Sequence, residues 1–341
     1  MTSIHDVARA AGVSISTVSY ALSGKRAVTE ATRRRVEAAV EQLGYRPNAG
    51  ARMLAGRRTF ILAVTEPVRP DTYAPAHMAF VAATAAAARR YDYDVLLLTR
   101  DEATGGLDRV TGSRLVDGVV VLDVTRDDER AELVRRLGVP AVVVGVPDDT
   151  NGLVCVDLDF EAAARLAVDR LVDAGHRVLG LLGHPGSTYE RGSNFPPRIR
   201  DAFLAHAAAR GVEARLATPE RGEQHVRDAV DDLLGPAGDL TGLVMHCDEG
   251  AQRTALDQLA VRGVPAPERV SVVSAASTFD TSALPVPLDV IPLVPERSCD
   301  RAVELVMQQL DGTVAPTVEL LAPTYVSHGS VRERGALDAA P

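Results

Sequence analysis

Ser14, Ser16, Thr17, Ser19 and Tyr20 place five hydroxyl groups within seven residues. Hydroxyls can hydrogen-bond base edges or phosphate oxygens, and Ile15 among them offers apolar contact, for example with a thymine methyl. The surrounding spacing predicts two short helices that cross at a tight turn. Ala8 is small where two helix backbones approach, Gly12 can take positive φ at the bend, and Ser14 can cap the second helix. Val7, Val18 and Leu22 form the predicted apolar seam. Ile15, Ser16, Thr17, Ser19 and Tyr20 then face outward, on the side that a helix-turn-helix presents to the major groove.

Two helices of any small bundle share a glycine turn, so charge has to separate the readings. Residues 1–58 hold ten Lys and Arg against four Asp and Glu, a net +6 in a chain whose total is −9. A basic head on an acidic body implies a polyanionic partner for the head alone. At 341 residues the chain is long for one core, which predicts a small head and a larger body. It has no run of eighteen apolar residues, so no membrane span is expected. A capped amphipathic helix stands where an apolar signal core would be, and the expectation is a cytoplasmic protein. Cys155, Cys247 and Cys299 lie far apart without metal-ligand spacing, which predicts reduced, buried thiols and no metal site.

The elements that position these residues can be followed along the chain. Thr29 can cap a third helix in which Val36, Val40 and Leu43 repeat at helical spacing, and Gly44 supplies the stop. Pro47 then breaks the chain before a helix-prone but short stretch from Ala49 to Ala55. From Thr59 apolar runs alternate with helical stretches. Strands are predicted at Phe60–Val64, Val95–Leu98, Val119–Leu122 and Ala141–Val144, then at Val178–Leu182, Leu243–His246 and Val270–Val273, and the segment Leu288–Leu293 leads into the last helix. Helices are predicted at Met78–Arg90, Asp127–Leu137, Glu161–Ala174, Arg198–Arg210, Gly250–Arg262 and Glu296–Leu310. Apolar strands between helices mean parallel sheets covered on both faces. Two such sheets in tandem leave a cleft at their strand carboxyl ends, where ligands bind.

The chain resembles the lactose-repressor family of bacterial transcription regulators along nearly its whole length. IHDVARAAGVSISTVSYALSG, VTEATRRRVEAAVEQLGYRPN and ARMLAG stand where that family has its helix-turn-helix, third helix and hinge helix. VCVDLD, DAGHRVLGLLG, RGVPAPERVSVVS and PTYVSHGS look like its core. The resemblance implies an all-α helix-turn-helix head (1–46), a hinge helix and linker (47–58), and an α/β two-subdomain periplasmic-binding-protein-like core (59–330), with a tail at 331–341. Subdomains of about 59–160 plus 291–322 and about 161–290 plus 323–330 follow from three chain crossings. It further implies a homodimeric repressor on a pseudo-palindromic operator, controlled by a small-molecule effector, with no cofactor. Ile15, Ser16, Tyr20 and Arg26 would read bases, Thr17, Ser19 and Tyr45 would hold phosphates, and Leu54 would wedge into the minor groove.

For the effector, the resemblance points to Arg198 and Asp248, and Tyr73, His77, Tyr189 and Phe195 lie in loops near the expected cleft. The core departs from the family pattern at Cys247, where Asn is usual, and at Ala276, where a ligand-binding Asp is usual, which argues against a simple sugar. An effector-independent or corepressor-dependent regulator and a free-standing solute-binding protein are the alternatives. No GxSxG, Walker or HExxH motif and no GxGxxG in strand–helix context indicates an enzyme, so no catalytic residue is predicted. Gly180, Gly183 and Gly186 are read as a flexible loop.

Overall fold

The computed structural model describes residues 2–23, 28–45, 58–69, 72–99, 103–312 and 314–337. Its backbone divides into a head, residues 1–59, and a body, residues 60–341.

In the head, α1 (Ile4–Ala11) starts at a capping box between Ser3 and Asp6 and ends at Gly12, whose φ of 63° is the left-handed turn the bend requires. Helix α2 (Ile15–Ser23) begins where Ser14 Oγ accepts from the Thr17 backbone N–H at 3.1 Å. Helix α3 (Glu30–Leu43) runs from its Thr29 cap to Gly44. Val7, Val18 and Val36 are fully buried with Ala8, Ala11 and Ala39 around them. The expected seam is corrected at one point: Leu22 is 40% exposed, and Val36 and Ala39 of α3 complete the core. A third helix packed across the pair covers Val18 from a side that a two-helix pattern does not show.

The body contains two parallel sheets. Its elements in chain order are β1 (Ile61–Thr65), α4 (Ala74–Arg89), β2 (Asp94–Leu98), α5 (Ala103–Gly112), β3 (Gly118–Val121), α6 (Glu129–Leu137), β4 (Ala141–Val144) and β5 (Val154–Leu158). There follow α7 (Phe160–Asp173), β6 (Val178–Leu182), α8 (Gly186–Glu190), α9 (Phe195–Ala209), β7 (Glu213–Ala217), α10 (Glu223–Leu234), β8 (Gly242–Met245), α11 (Glu249–Val261) and β9 (Ser271–Ser277). The last elements are β10 (Asp289–Pro292), α12 (Pro295–Leu310) and β11 (Thr317–Leu321). One lobe carries the sheet β11-β5-β4-β3-β1-β2 and the other β10-β9-β8-β6-β7. The central strands β3 and β4 and the start of β8 are buried on both faces, as helix-covered parallel strands must be.

Three crossings join the lobes. The chain leaves β5 into α7, whose Phe160, Ala163 and Ala167 pack in the second lobe. It returns from β10 into α12, whose Ala302, Val303 and Val306 pack on Leu62 and Val120. Beyond β11 it goes back again, and Val326 bridges Val290 in the second lobe. There the Asp289 carboxylate accepts from the backbone N–H groups of His328, Gly329 and Ser330 at 2.7–2.9 Å, fixing the third crossing.

Several elements escaped the sequence pattern: α5, β5, β7, α10 and β11 were not among the predicted helices and strands, although β5 is a fully buried run. Helix α5 carries Gly105 and Gly106, and β7 and β11 are edge strands with no fully buried residue and no apolar run. Only residues 183–185 of the Gly180–Gly186 segment form a loop. Gly180 lies inside β6, where Leu240 and Leu243 come within 3.1 and 3.2 Å of the space a Cβ would need, and Gly186 opens α8. Helix α9 starts three residues earlier than expected, with prolines in its first turn, where a missing N–H costs no hydrogen bond. The three cysteines are free and buried.

Gly118 shows how tightly the first lobe closes. A Cβ there would stand 2.6 Å from Val306 Cγ1 and 3.2 Å from the Pro140 carbonyl oxygen. Gly118→Ala is expected to destabilise the chain by about 1–3 kcal/mol, read from the urea midpoint of the full chain. An unchanged midpoint would show that α12 can move away from β3.

Candidate functional site

Two sites emerge, one in each unit. In the head, Ile15 is 41% exposed at the start of α2, and Ser16 is exposed beside it. Ser14 Oγ lies 2.8 Å from both Ser16 Oγ and Thr17 Oγ1, so the cap residue also orients two of the hydroxyls on this face. Ser19 and Tyr20 are half-buried on the same helix. Tyr45 is 7% exposed and packs in the head core, so its ring is structural whatever its hydroxyl does. Arg26, Leu54 and the stretch from Ala49 to Ala55 lie outside the described residues.

In the body, a cleft of about 160 Å³ opens between the lobes. That is room for on the order of ten waters. The first lobe contributes an ionic wall. His77 Nδ1 lies 2.7 Å from Glu66 Oε1, and Arg69 reaches Asp123 at 2.5 Å. Burial raises the Glu66 carboxyl above its ordinary value, and His77 only partly offsets this. Burial also works against a charged His77, but the Glu66 hydrogen bond and charge, helped by Asp123, outweigh it and raise the imidazole. Glu66, His77 and Asp123 bring three potential metal-ligand atoms within 4.8 Å of one another. Each of these atoms already has a protein counter-group, so a cation would have to displace Arg69 and break the Glu66–His77 bond.

The second lobe supplies rings. The His184 and His246 centroids are 4.6 Å apart and nearly perpendicular; Phe195 stands 5.1 Å from His184, and Phe160 lies 5.7 Å from Phe195. Burial drives His184 down to about 3, with Arg221, Arg191 and His77 adding to the effect. Burial, then His184, holds His246 well below its usual range as well. Both imidazoles are therefore neutral rings at physiological pH. Asn194 Nδ2 and His246 Nδ1 are buried in this wall without a hydrogen-bond partner. Ala276 also lines the cleft, with φ 51° in the left-handed region, a strained conformation for a residue with a Cβ.

Of the effector residues expected from sequence, Tyr73, His77, Phe195 and Asp248 line this cleft, and Tyr189 and Arg198 do not. Asp248 also caps α11 through the Ala251 backbone N–H at 2.9 Å. Arg198 is turned into the protein. It donates to both Glu161 carboxylate oxygens at 2.8 Å, to Asp157 Oδ2 at 2.6 Å and to the Leu158 carbonyl oxygen at 3.4 Å, and it covers the Phe160 ring. Glu66, Asp123, His184, Asn194 and His246 were missed. Glu66 and His246 directly follow β1 and β8, and His184 lies two residues past β6; that position at strand carboxyl ends was the signal available in the sequence.

Residues 3–48 match the model of bacterial regulatory proteins of the lacI family, and residues 168–331 match a periplasmic binding protein-like domain. The head is thus similar to lacI-family regulators and the body to periplasmic binding proteins. Its relatives include catabolite control protein A of Priestia megaterium, 34% identical over 190 residues, a match covering 53% of this chain and 56% of that protein. The chain thus spans about half the length of that relative. The HTH-type transcriptional regulator CelR of Thermobifida fusca is 29% identical over 349 residues, covering 96% of this chain and 97% of that one. In fold, this chain is like the lac repressor dimer bound to operator and an anti-inducer: TM-score 0.80, 24% identity, 97% of this chain and 99% of that one. No helix among the described residues is long and apolar enough to cross a membrane.

Proposed function

We propose that this protein is a homodimeric, sequence-specific DNA-binding repressor whose grip on a pseudo-palindromic operator is set by a small-molecule effector in the interlobe cleft. The observation that carries this reading is the exposed α2 face, Ile15 and Ser16 with Thr17, Ser19 and Tyr20 along the same helix, in a head of net +6. That combination suits insertion into the major groove of a polyanion. Ile15, Ser16, Tyr20 and Arg26 would meet base edges, while Thr17, Ser19 and the Tyr45 hydroxyl would hold phosphates and fix register. Leu54 would wedge into the minor groove once two hinge helices pair on DNA. The cleft supports the effector half of the reading, because closing it moves the lobes that carry the heads, and a ligand shifts binding by its differential affinity for the two states. On this reading the protein works in the cytoplasm and catalyses nothing.

The test is a half-site selected from randomised duplex DNA. Ser16→Ala or Tyr20→Ala should change which base pair is preferred, with about 1–3 kcal/mol lost at the contacted pair, whereas Tyr45→Phe should weaken all sequences alike. Equal loss of specific and nonspecific binding in Tyr20→Ala would overturn the base-reading assignment.

A further inference from the structure

We propose that the interlobe cleft takes a flat, conjugated ring bearing an amide-type edge, and not a pyranose. The proposal rests on the effector reading above and names the ligand class of that site.

The second-lobe wall is the first observation. Phe160, Phe195, His184 and His246 form a continuous box of rings with centroids 4.6–6.3 Å apart, and three of their contacts are close to perpendicular. Edge-to-face and offset contacts are the arrangements that aromatic quadrupoles favour, so a further flat ring can extend the box. Ala276 adds only a methyl group to the lining.

Polar supply is the second observation. A pyranose presents several hydroxyls, each needing a partner once water is excluded. Many of the charged groups in and behind the cleft wall are already taken. Arg198 is engaged by Asp157, Glu161 and the Leu158 carbonyl; Glu66 holds His77; Asp123 holds Arg69. Ser277 Oγ is bonded to Ser274 and Gln252. A sugar calling on these groups would have to break pairs, several of them ionic and shielded from solvent, and would otherwise depend on Tyr73, Thr188, Asp248 and Thr278 in the lining.

The unpartnered atoms are the third observation, and they select among flat molecules. Asn194 is 5% exposed and His246 2% exposed, both line the cleft, and Asn194 Nδ2 and His246 Nδ1 lack a hydrogen-bond partner. Buried polar atoms are rarely left unsatisfied, so these two are the natural docking points for a ligand. The Asn194 amide nitrogen donates, and the neutral His246 ring can present Nδ1 as an acceptor. A carbonyl beside an N–H on a conjugated ring, as in an aromatic amide or a lactam heterocycle, supplies both complements.

The test uses the full chain with nicotinamide, benzamide and 2-quinolinone as ring probes and glucose and cellobiose as pyranose probes, read by thermal melting and titration calorimetry. At least one ring probe should raise the melting temperature saturably, and the sugars at equal concentration should not. Asn194→Leu removes the donor at similar volume, and Phe195→Leu removes a ring face while keeping the site apolar. Each should weaken the bound ring probe tenfold or more, with unliganded melting serving as the folding control; two variants keep the test decisive if one folds poorly. Stabilisation by a sugar alone, silence from all the ring probes, or ring binding indifferent to both substitutions would overturn the ring assignment. Operator anisotropy separates this from the broader reading: a sugar that releases operator refutes the ring and upholds an effector site, whereas a tightly bound ring probe that leaves operator affinity unchanged upholds the ring and refutes effector control.

Discussion

Arg198→Ala is expected to lower the stability of the chain by about 3 kcal/mol at neutral pH, because it strips the counter-charge from a buried carboxylate. The Asp157 side chain is 8% exposed and Arg198 15%, and their contact at 2.6 Å is reinforced by the paired bonds to Glu161. Burial pushes Asp157 up to about 6 even against the attraction of Arg198. The sign of the pH dependence follows. A carboxyl whose folded pKa lies above its unfolded value binds protons more tightly when folded, so its contribution to stability is lost as pH rises through the folded pKa. Without Arg198 that pKa climbs further, and the window of instability deepens on the alkaline side. Urea unfolding at about pH 5 and about pH 8 should therefore show the variant closer to the parent at the lower pH. Adding Asp157→Asn, which removes the charge, should restore part of the loss at the higher pH. Equal deficits at both pH values would mean that Asp157 is not the group left exposed to the penalty. Should the variant match the parent throughout, the ion cluster is structurally idle and Arg198 is free to serve the ligand.

The second large effect concerns salt. Two heads of net +6 on one operator displace condensed counterions, and a protein making six to ten phosphate contacts loses on the order of a thousandfold or more in affinity between about 50 and about 200 mM salt. Fluorescence anisotropy of the full chain on its selected operator reads this directly. The body is acidic, so the slope of log affinity against log salt has to come from the head. Glutamine at exposed Arg33 or Arg35 should flatten the slope by about one if that side chain reaches a phosphate, and leave it alone if the α3 arginines face only solvent. A slope near zero in the parent would exclude phosphate-driven binding altogether.

Local signals made much of this protein legible from sequence. Gly12 and Gly44 take left-handed φ, and Ser14 and Thr29 cap the helices, because each of these depends on a residue and its neighbours within one turn. The α/β class followed from apolar runs such as Val119–Leu122, since a strand covered on both faces has no polar side to show. The edge strands β7 and β11 were missed for the complementary reason: neither has a buried residue, so their text carries no apolar run.

The site itself was decided by tertiary structure. His184, Asn194, His246 and Ala276 are far apart in the chain and meet only because the order β10-β9-β8-β6-β7 brings the loops after β6, β8 and the end of β9 to one edge. Arg198 stands at a position from which it could reach a ligand, yet where its guanidinium points depends on Asp157 and Glu161, supplied by the crossing from β5 into α7. Leu22, expected in the seam, lies exposed, and the Tyr45 ring packs in the head core that α3 completes. Sequence periodicity specifies which face of an element is apolar; which charges meet, and which polar atoms are left unpaired at the meeting point, is fixed by contacts between residues that no local pattern links.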